Sequence, residues 1–409
     1  MIRHSAAREA PQVPRRLAAH AALRLAMSLA AGALLAACSL SNQAHPAAQP
    51  PAGTGAGAGV RPADVAVQPT VVVPAPATAA APTVTVAPLP TALPTVAPTP
   101  TAQPPHPLSI AAARSRDYPG SDMMVEQTLA PGANYDRFIV SYRTDGLKNF
   151  ALLTIPRGAK PPTGWPVIVF NHGFIAPAQY RTTERYIAYT DAFSRNGYML
   201  LRPDYRGHGS SEGQARGGYG NDDYVTDVLN GFNSVRRHPD ADPNRMAMWG
   251  HSMGGYITLR SMVISPEVKA GVIWGGVVGS YPDLLFNWGN RNPLAALTAT
   301  PTTTQPGPWR TQLLRYYGTP EQNPGFWASI SANTYLRDLS GPVQLHHGTV
   351  DTSVPVQMSI NLDRQIREVG GHVELFTYAG DDHDVSRNLS VALNRSVAFF
   401  DAHVKNRST

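Results

Sequence analysis

A serine stands between two glycines in Gly250-His251-Ser252-Met253-Gly254, directly after the apolar run Met246–Trp249 and ahead of a helical pattern. A serine hydroxyl is a poor nucleophile by itself and needs a base to take its proton and an acid to orient that base. Flanking glycines allow the tight strand-to-helix turn that lifts such a hydroxyl above a sheet. Two later loops supply the missing groups. Asp351 ends His347-Gly348-Thr349-Val350-Asp351, and His383 ends Gly380-Asp381-Asp382-His383. In this reading neutral His383 accepts the Ser252 proton, while Asp351 fixes the imidazole tautomer and stabilises the imidazolium. The chemistry is acyl transfer: attack on an ester or amide carbonyl through an acyl-enzyme.

The oxyanion of that reaction needs two donors. The Met253 N–H, at the head of the helix after Ser252, is one, since a helix amino terminus favours developing negative charge. The Phe174 N–H, in Asn171-His172-Gly173-Phe174, is the other. His172 is expected to brace that loop, and His346 and His347 to serve structure at a strand end. Asp381, Asp382 and Asp384 flank His383, but one histidine among adjacent carboxylates lacks the spacing of a zinc site. No metal and no cofactor is expected.

These residues require a scaffold in which strands end at one edge. Candidate strands are 138–142, 150–155, 167–171, 199–202, 246–249, 270–274, 343–347 and 373–377. Helical patterns cover 184–195, 222–237, 254–263, 356–369 and 389–404. Alternating strand and helix predicts an α/β class with an eight-stranded, mostly parallel sheet covered on both faces, the first two strands forming an antiparallel hairpin. Tyr224 and Asp227 are read as structural. The aromatic-rich stretch at about 280–340, with Trp288, Trp309, Tyr316, Tyr317, Phe326 and Trp327, is read as a lid over Ser252 that carries an aromatic pocket.

The 409 residues divide unevenly. Sixteen of the 38 prolines lie in residues 39–107, a stretch without Phe, Tyr or Trp and with only Arg61 and Asp64 charged. Such a segment buries too little apolar surface to offset its ordering entropy, and proline stops both helix and sheet, so it reads as an extended tether. Ahead of it, thirteen uncharged residues from Leu25 to Ala37 are too short to span a bilayer and suit the apolar region of a secretory signal. Leu35-Ala36-Ala37-Cys38 resembles the bacterial lipobox, and Cys38 is the only cysteine. The expected organisation is a lipoprotein signal over 1–37, a tether over 38–107 held to the membrane by lipid on Cys38, and a catalytic domain over 108–409. The net charge of +6 comes largely from the leader: residues 1–37 hold five of the 34 basic residues and one of the 28 acidic ones, leaving 29 against 27. That balance, with no nucleic-acid-binding motif, excludes a nucleic-acid partner. Oligomeric state is not legible.

From Trp165 to Val404 the chain resembles an α/β-hydrolase, and within that fold the catalytic domain of the prolyl oligopeptidase family. The resemblance rests on NHGF at 171–174, DYRGHGSS at 204–211, WGHSMGGY at 249–256, YGTPEQNPGFW at 317–327 and HGTVDTSVPVQMS at 347–359. It implies a serine hydrolase for small peptides or esters with nucleophile, acid and base at Ser252, Asp351 and His383. Two features depart from the peptidases of that family: only the tether and a short lead-in stand where a β-propeller often precedes the domain, and the paired glutamates that hold a free amino terminus are missing. A carboxylesterase on the same scaffold, or a surface binding protein that kept the fold without catalysis, are the alternatives.

Overall fold

The computed structural model describes residues 105–289, Leu294 and residues 308–406. Cys38 and the tether up to residue 104 lie outside them. In chain order the elements are α1 (Ile110–Ser115), β1 (Met124–Leu129), β2 (Tyr135–Thr144), β3 (Leu147–Pro156), β4 (Trp165–Asn171), α2 (Ile187–Arg195), β5 (Met199–Pro203), α3 (Asp223–Arg236), β6 (Ala241–His251), α4 (Met253–Ile264), β7 (Gly271–Trp274), α5 (Tyr281–Phe286), α6 (Trp309–Tyr317), α7 (Pro324–Ile330), β8 (Val343–Gly348), α8 (Gln357–Glu368), β9 (Val373–Tyr378) and α9 (Leu389–Phe400). No helix among the described residues is long and apolar enough to cross a membrane.

One sheet runs β1-β2-β3-β5-β4-β6-β7-β8-β9. The β2–β3 hairpin turns at Asp145-Gly146 and pairs Val140 with Ala151. β3 pairs antiparallel with β5, and from β5 onward every neighbouring pair is parallel. The sequence explains the parallel half. β4 is buried along nearly its whole length and β7 entirely, as apolar runs covered on both faces must be. Successive side chains of a strand point to opposite faces. Val167 and Val169 accordingly join a core with Val228 and Phe232 of α3 and Ile257 of α4, whereas Ile168 and Phe170 join a second core with Phe193 of α2 and Phe400 of α9.

The sheet has nine strands among the described residues, one more than the eight expected. The addition is β1, whose side chains are exposed at nearly every position. It is held by pairing with β2 across an irregularity between Val125 and Gln127, so it carries no buried alternation from which a strand could be read. The short helix α1 also escaped the pattern.

The described part of the stretch from 280 to 340, expected to be a lid with an aromatic pocket, packs into the core. In its described part Tyr281, Phe326 and Trp327 are core residues packed with α4, Tyr281 shares a hydroxyl contact of 2.9 Å with Tyr256, and the Trp327 indole donates to the Gly318 carbonyl. None of its described residues lines the cavity at Ser252. Trp288, Trp309 and Tyr317 pack partly buried against the same core, and only Tyr316 is largely exposed among the aromatics named for this stretch. Residues 290–293 and 295–307 lie outside the description.

Candidate active site

Ser252 sits at the turn between β6 and α4 with φ 54° and ψ −117°, a left-handed conformation that non-glycine residues adopt at a cost of about 1–3 kcal/mol. The turn is closed so tightly that a Cβ at Gly254 would lie 1.9 Å from the Asn171 carbonyl oxygen, so glycine is required there. The strand, the helix and the β4 loop therefore meet at one point, with the Ser252 side chain facing a cavity of about 520 Å³.

His383 faces the same cavity from the loop after β9. Its Nδ1 lies 2.6 Å from Asp351 Oδ2, and the ionised carboxylate can only accept, so Nδ1 carries the hydrogen and Nε2 is left as the proton acceptor. Asp351 follows β8, and its side chain is fully buried. Oδ1 accepts from the Ser353 and Val354 N–H groups at 2.8 and 2.9 Å, and His347 Nε2 approaches Oδ2 at 3.1 Å. Burial alone would raise this carboxyl; the donors on His347, His383 and Val354 outweigh it and hold the group well below the usual carboxylate range.

His347 thus does more than fill a strand end. Its Nε2 also meets the Val354 carbonyl at 2.9 Å, which fixes the proton on Nε2, and Nδ1 then accepts from the Ser359 hydroxyl at 2.7 Å. It is a donor braced against the acid. Its position four residues before Asp351 was a signal of sorts, but a contact across a turn is not readable from spacing alone. His346 is structural as expected, buried between Tyr378 and Gln344, and burial lowers its pKa to about 3.

Met253 heads α4, where its N–H has no partner within the helix. Phe174 lines the cavity and is largely exposed. The loop carrying it abuts the nucleophile, since a Cβ at Gly173 would lie 3.1 Å from Ser252 Cβ. His172 braces this loop: it is buried, stacks on Tyr205 with centroids 4.1 Å apart, and burial pulls its pKa to about 3. Asp227, also structural as expected, is buried and holds the backbone and guanidinium of Arg206, with Nη2 at 2.6 Å.

Two further residues tie the site together, and neither carries a local sign of its role. The Gly173 N–H donates to the Tyr186 hydroxyl at 3.0 Å, and that hydroxyl lies 2.8 Å from His251 Nδ1. His251 Nε2 lies 3.2 Å from the His383 carbonyl, which only accepts, so Nε2 carries the hydrogen and Nδ1 accepts from Tyr186. Burial pushes the Tyr186 phenol up to about 12 and pulls His251 down to about 3, so both are neutral. The result is a chain of hydrogen bonds from the Phe174 loop to the His383 loop, passing beneath Ser252.

A metal has one plausible donor set among the described residues, His372, Glu374 and His403, whose ligand atoms lie within 4.8 Å of one another. It sits at the amino end of β9, away from the edge that carries Ser252.

Residues 165–304 match the family model for serine aminopeptidase, S33, a span that ends before Asp351 and His383. An uncharacterized peptidase of Bacillus subtilis, YtmA, is 24% identical over 269 residues, 64% of this chain and 92% of that protein. The sheet and its helices superpose on acylaminoacyl peptidase from Pyrococcus horikoshii with a TM-score of 0.52 at 19% identity, over 67% of this chain and 43% of that one. Acetyl xylan esterase from Paenibacillus sp. R4 gives 0.53 at 17% identity, over 72% and 92%. The fold is that of an α/β-hydrolase. The chain is a serine hydrolase, a peptidase or an esterase. It spans less than half of the Pyrococcus enzyme, so likeness to that hydrolase extends to the fold of one part of it.

Proposed function

We propose that Ser252, His383 and Asp351 are the nucleophile, base and acid of an acyl transfer that cleaves peptide or carboxylic ester bonds, in the manner of the prolyl oligopeptidases. The observation that carries this reading is the 2.6 Å contact between His383 Nδ1 and a fully buried Asp351, in a cavity that Ser252 enters from a strained turn. Ser252 Oγ attacks the substrate carbonyl and its proton passes to His383 Nε2. Asp351 stabilises the imidazolium, and the Met253 and Phe174 N–H groups receive the oxyanion. The imidazolium then protonates the leaving amine or alcohol, and water releases the acyl group by the same steps. The uncharacterized peptidase of B. subtilis and the aminopeptidase model favour a peptide substrate.

The reading extends to location. A lipid on Cys38 would hold the domain outside the cytoplasmic membrane at the end of the proline-rich tether, as Leu35-Ala36-Ala37-Cys38 suggests.

Labelling with a fluorophosphonate tests the assignment directly. Wild type should label at one site, and Ser252→Ala and His383→Ala should each lose both label and turnover while keeping their circular dichroism. Labelling that persists in Ser252→Ala overturns it. A panel of nitrophenyl esters and aminoacyl anilides then separates esterase from peptidase action.

A further inference from the structure

The loop between β4 and α2 is fixed from below by a buried cation. Arg202 on β5 is almost wholly shielded from solvent, yet its guanidinium donates to three main-chain carbonyls of that loop, those of Thr182, Glu184 (3.1 Å) and Arg185 (2.8 Å). Burying a guanidinium is costly unless its donors are satisfied, and here the two terminal nitrogens find their acceptors in the loop, while the buried Nε has none. Arg185 itself and the following Tyr186 both take left-handed backbone conformations, φ 53° and 52°, which neither side chain favours. Tyr186 is in turn fastened by its hydroxyl to Gly173 and His251.

The consequence of this bracing is the placement of the Arg185 side chain. It lines the Ser252 cavity, and among the described residues its guanidinium has no hydrogen bond and no ion pair. Asp384, which lines the same cavity, stands 3.5 Å from His251 Nε2 and is largely exposed; the Arg185 charge acts on its carboxyl, but no hydrogen bond or ion pair joins the two. An exposed guanidinium on a braced backbone beside a nucleophile, with no hydrogen bond or ion pair of its own, is matched by a planar anion, because its parallel N–H donors fit the two oxygens of a carboxylate.

We infer that Arg185 is a specificity-determining residue that binds a carboxylate of the substrate, so that the preferred esters or amides carry a free carboxylate close to the scissile bond. The inference rests on the reading of Ser252 as the nucleophile. The carboxylate belongs either to the acyl part, as in a dicarboxylic monoester or an acidic acyl residue, or to the leaving group, as in a terminal amino acid.

Two matched pairs separate these sources. For the acyl side, mono-4-nitrophenyl adipate is compared with its methyl-capped diester. For the leaving group, the butyryl ester of 4-hydroxybenzoate is compared with that of methyl 4-hydroxybenzoate. In wild type kcat/KM should favour the charged member of one pair. Arg185→Gln should lower that charged-to-neutral ratio by roughly 10- to 100-fold, the scale of a charge-assisted hydrogen bond, and Arg185→Lys should recover part of it. Arg185→Glu should reverse the preference. The second readout does not need turnover: in a Ser252→Ala background, calorimetry should show the charged ester binding more tightly than the neutral one, with the difference lost in Ser252→Ala/Arg185→Gln. Charge-independent binding in that background, or equal losses on both members of each pair, overturns the inference. Absent turnover with charge-dependent binding overturns the catalytic reading of Ser252 and leaves the carboxylate site standing.

Discussion

Replacing Tyr186 with phenylalanine removes one oxygen from the centre of the site and leaves the ring contacts with Phe170 and Tyr189, at centroid distances of 5.4 and 5.5 Å, in place. Two hydrogen bonds go with it, from the Gly173 N–H at 3.0 Å and to His251 Nδ1 at 2.8 Å. Each is a neutral pair worth about 1 kcal/mol net. His251 is buried, so its Nδ1 loses its donor without easy replacement by water, whereas Gly173 borders the cavity and can recover a water. The sum is a destabilisation of about 1–3 kcal/mol, or roughly 2–8 °C in the thermal midpoint of a domain of this size. Activity should fall by more than stability requires, because the Phe174 loop and the His383 loop are then no longer joined. We expect kcat to drop about tenfold with KM nearly constant, the pattern of an interaction made in the transition state. Calorimetric melting, and steady-state kinetics on a nitrophenyl ester at 25 °C, below the transition, check the two parts. A variant that melts as predicted but turns over at the wild-type rate refutes the coupling, and one that melts at the wild-type temperature refutes the hydrogen-bond assignment itself.

Gly254→Ala should be among the most damaging single changes, costing more than about 3 kcal/mol through a forced collision with the Asn171 carbonyl, and urea unfolding of the variant measures it. Asp351 and Asp204 should give opposite pH dependences. Asp351 is held below the carboxylate range, so its contribution is present above about pH 4 and fades as pH falls; the stability gap between wild type and Asp351→Asn should therefore narrow in acid. Burial raises Asp204 to about 6 against donors from Thr182 and Tyr180, so the native state keeps a proton that the unfolded chain has lost. Stability from that group is lost as pH rises from about 4 to about 6, and urea midpoints of Asp204→Asn should decline less than wild type between about pH 4 and 6. Cys38→Ser should abolish incorporation of radiolabelled fatty acid and shift the protein from the membrane to the soluble fraction. A chain beginning at Pro105, which keeps the 2.6 Å contact of His106 with Tyr317, should be soluble and fully active.

Much of this architecture is legible in the residues themselves, and the reason differs from element to element. The runs at 167–171 and 246–249 are continuous and apolar because parallel strands are covered on both faces, so they announce both their existence and their surroundings. Ser252, Asp351 and His383 each stand directly after such a run, and a strand that ends in a loop carries its next polar residue to the carboxyl edge. β1 had no such signature, since its exposed side chains leave only backbone pairing to define it. The aromatics between 280 and 340 show the opposite difficulty: a Trp buried in a core and a Trp lining a pocket are the same letter, and only packing on α4 decides between them.

The residues that escaped the sequence are those whose role is to face one another across loops. His251 lies inside the serine motif, but nothing in its neighbours foretells a partner at Tyr186, 65 positions away, or at the carbonyl of His383, 132 positions away. The sheet order makes these meetings unavoidable. β4, β6, β7, β8 and β9 lie side by side and parallel, so the loops after them form one row, and Phe174, Ser252, Asp351 and His383 occupy that row in strand order. A strand can bring its loop to the row, yet it cannot fix the loop's height to within the fraction of an ångström that proton transfer demands. That precision has to come from contacts between loops. The neutral chain Gly173–Tyr186–His251–His383 supplies it on the nucleophile's side, and His347 supplies it for the acid. The neutrality of those groups matters, because a charged residue beneath Ser252 would compete with Asp351 for the imidazolium that forms during turnover. Burial, which holds His251 at about 3 and Tyr186 at about 12, keeps this chain of contacts uncharged beside the imidazolium that forms on His383.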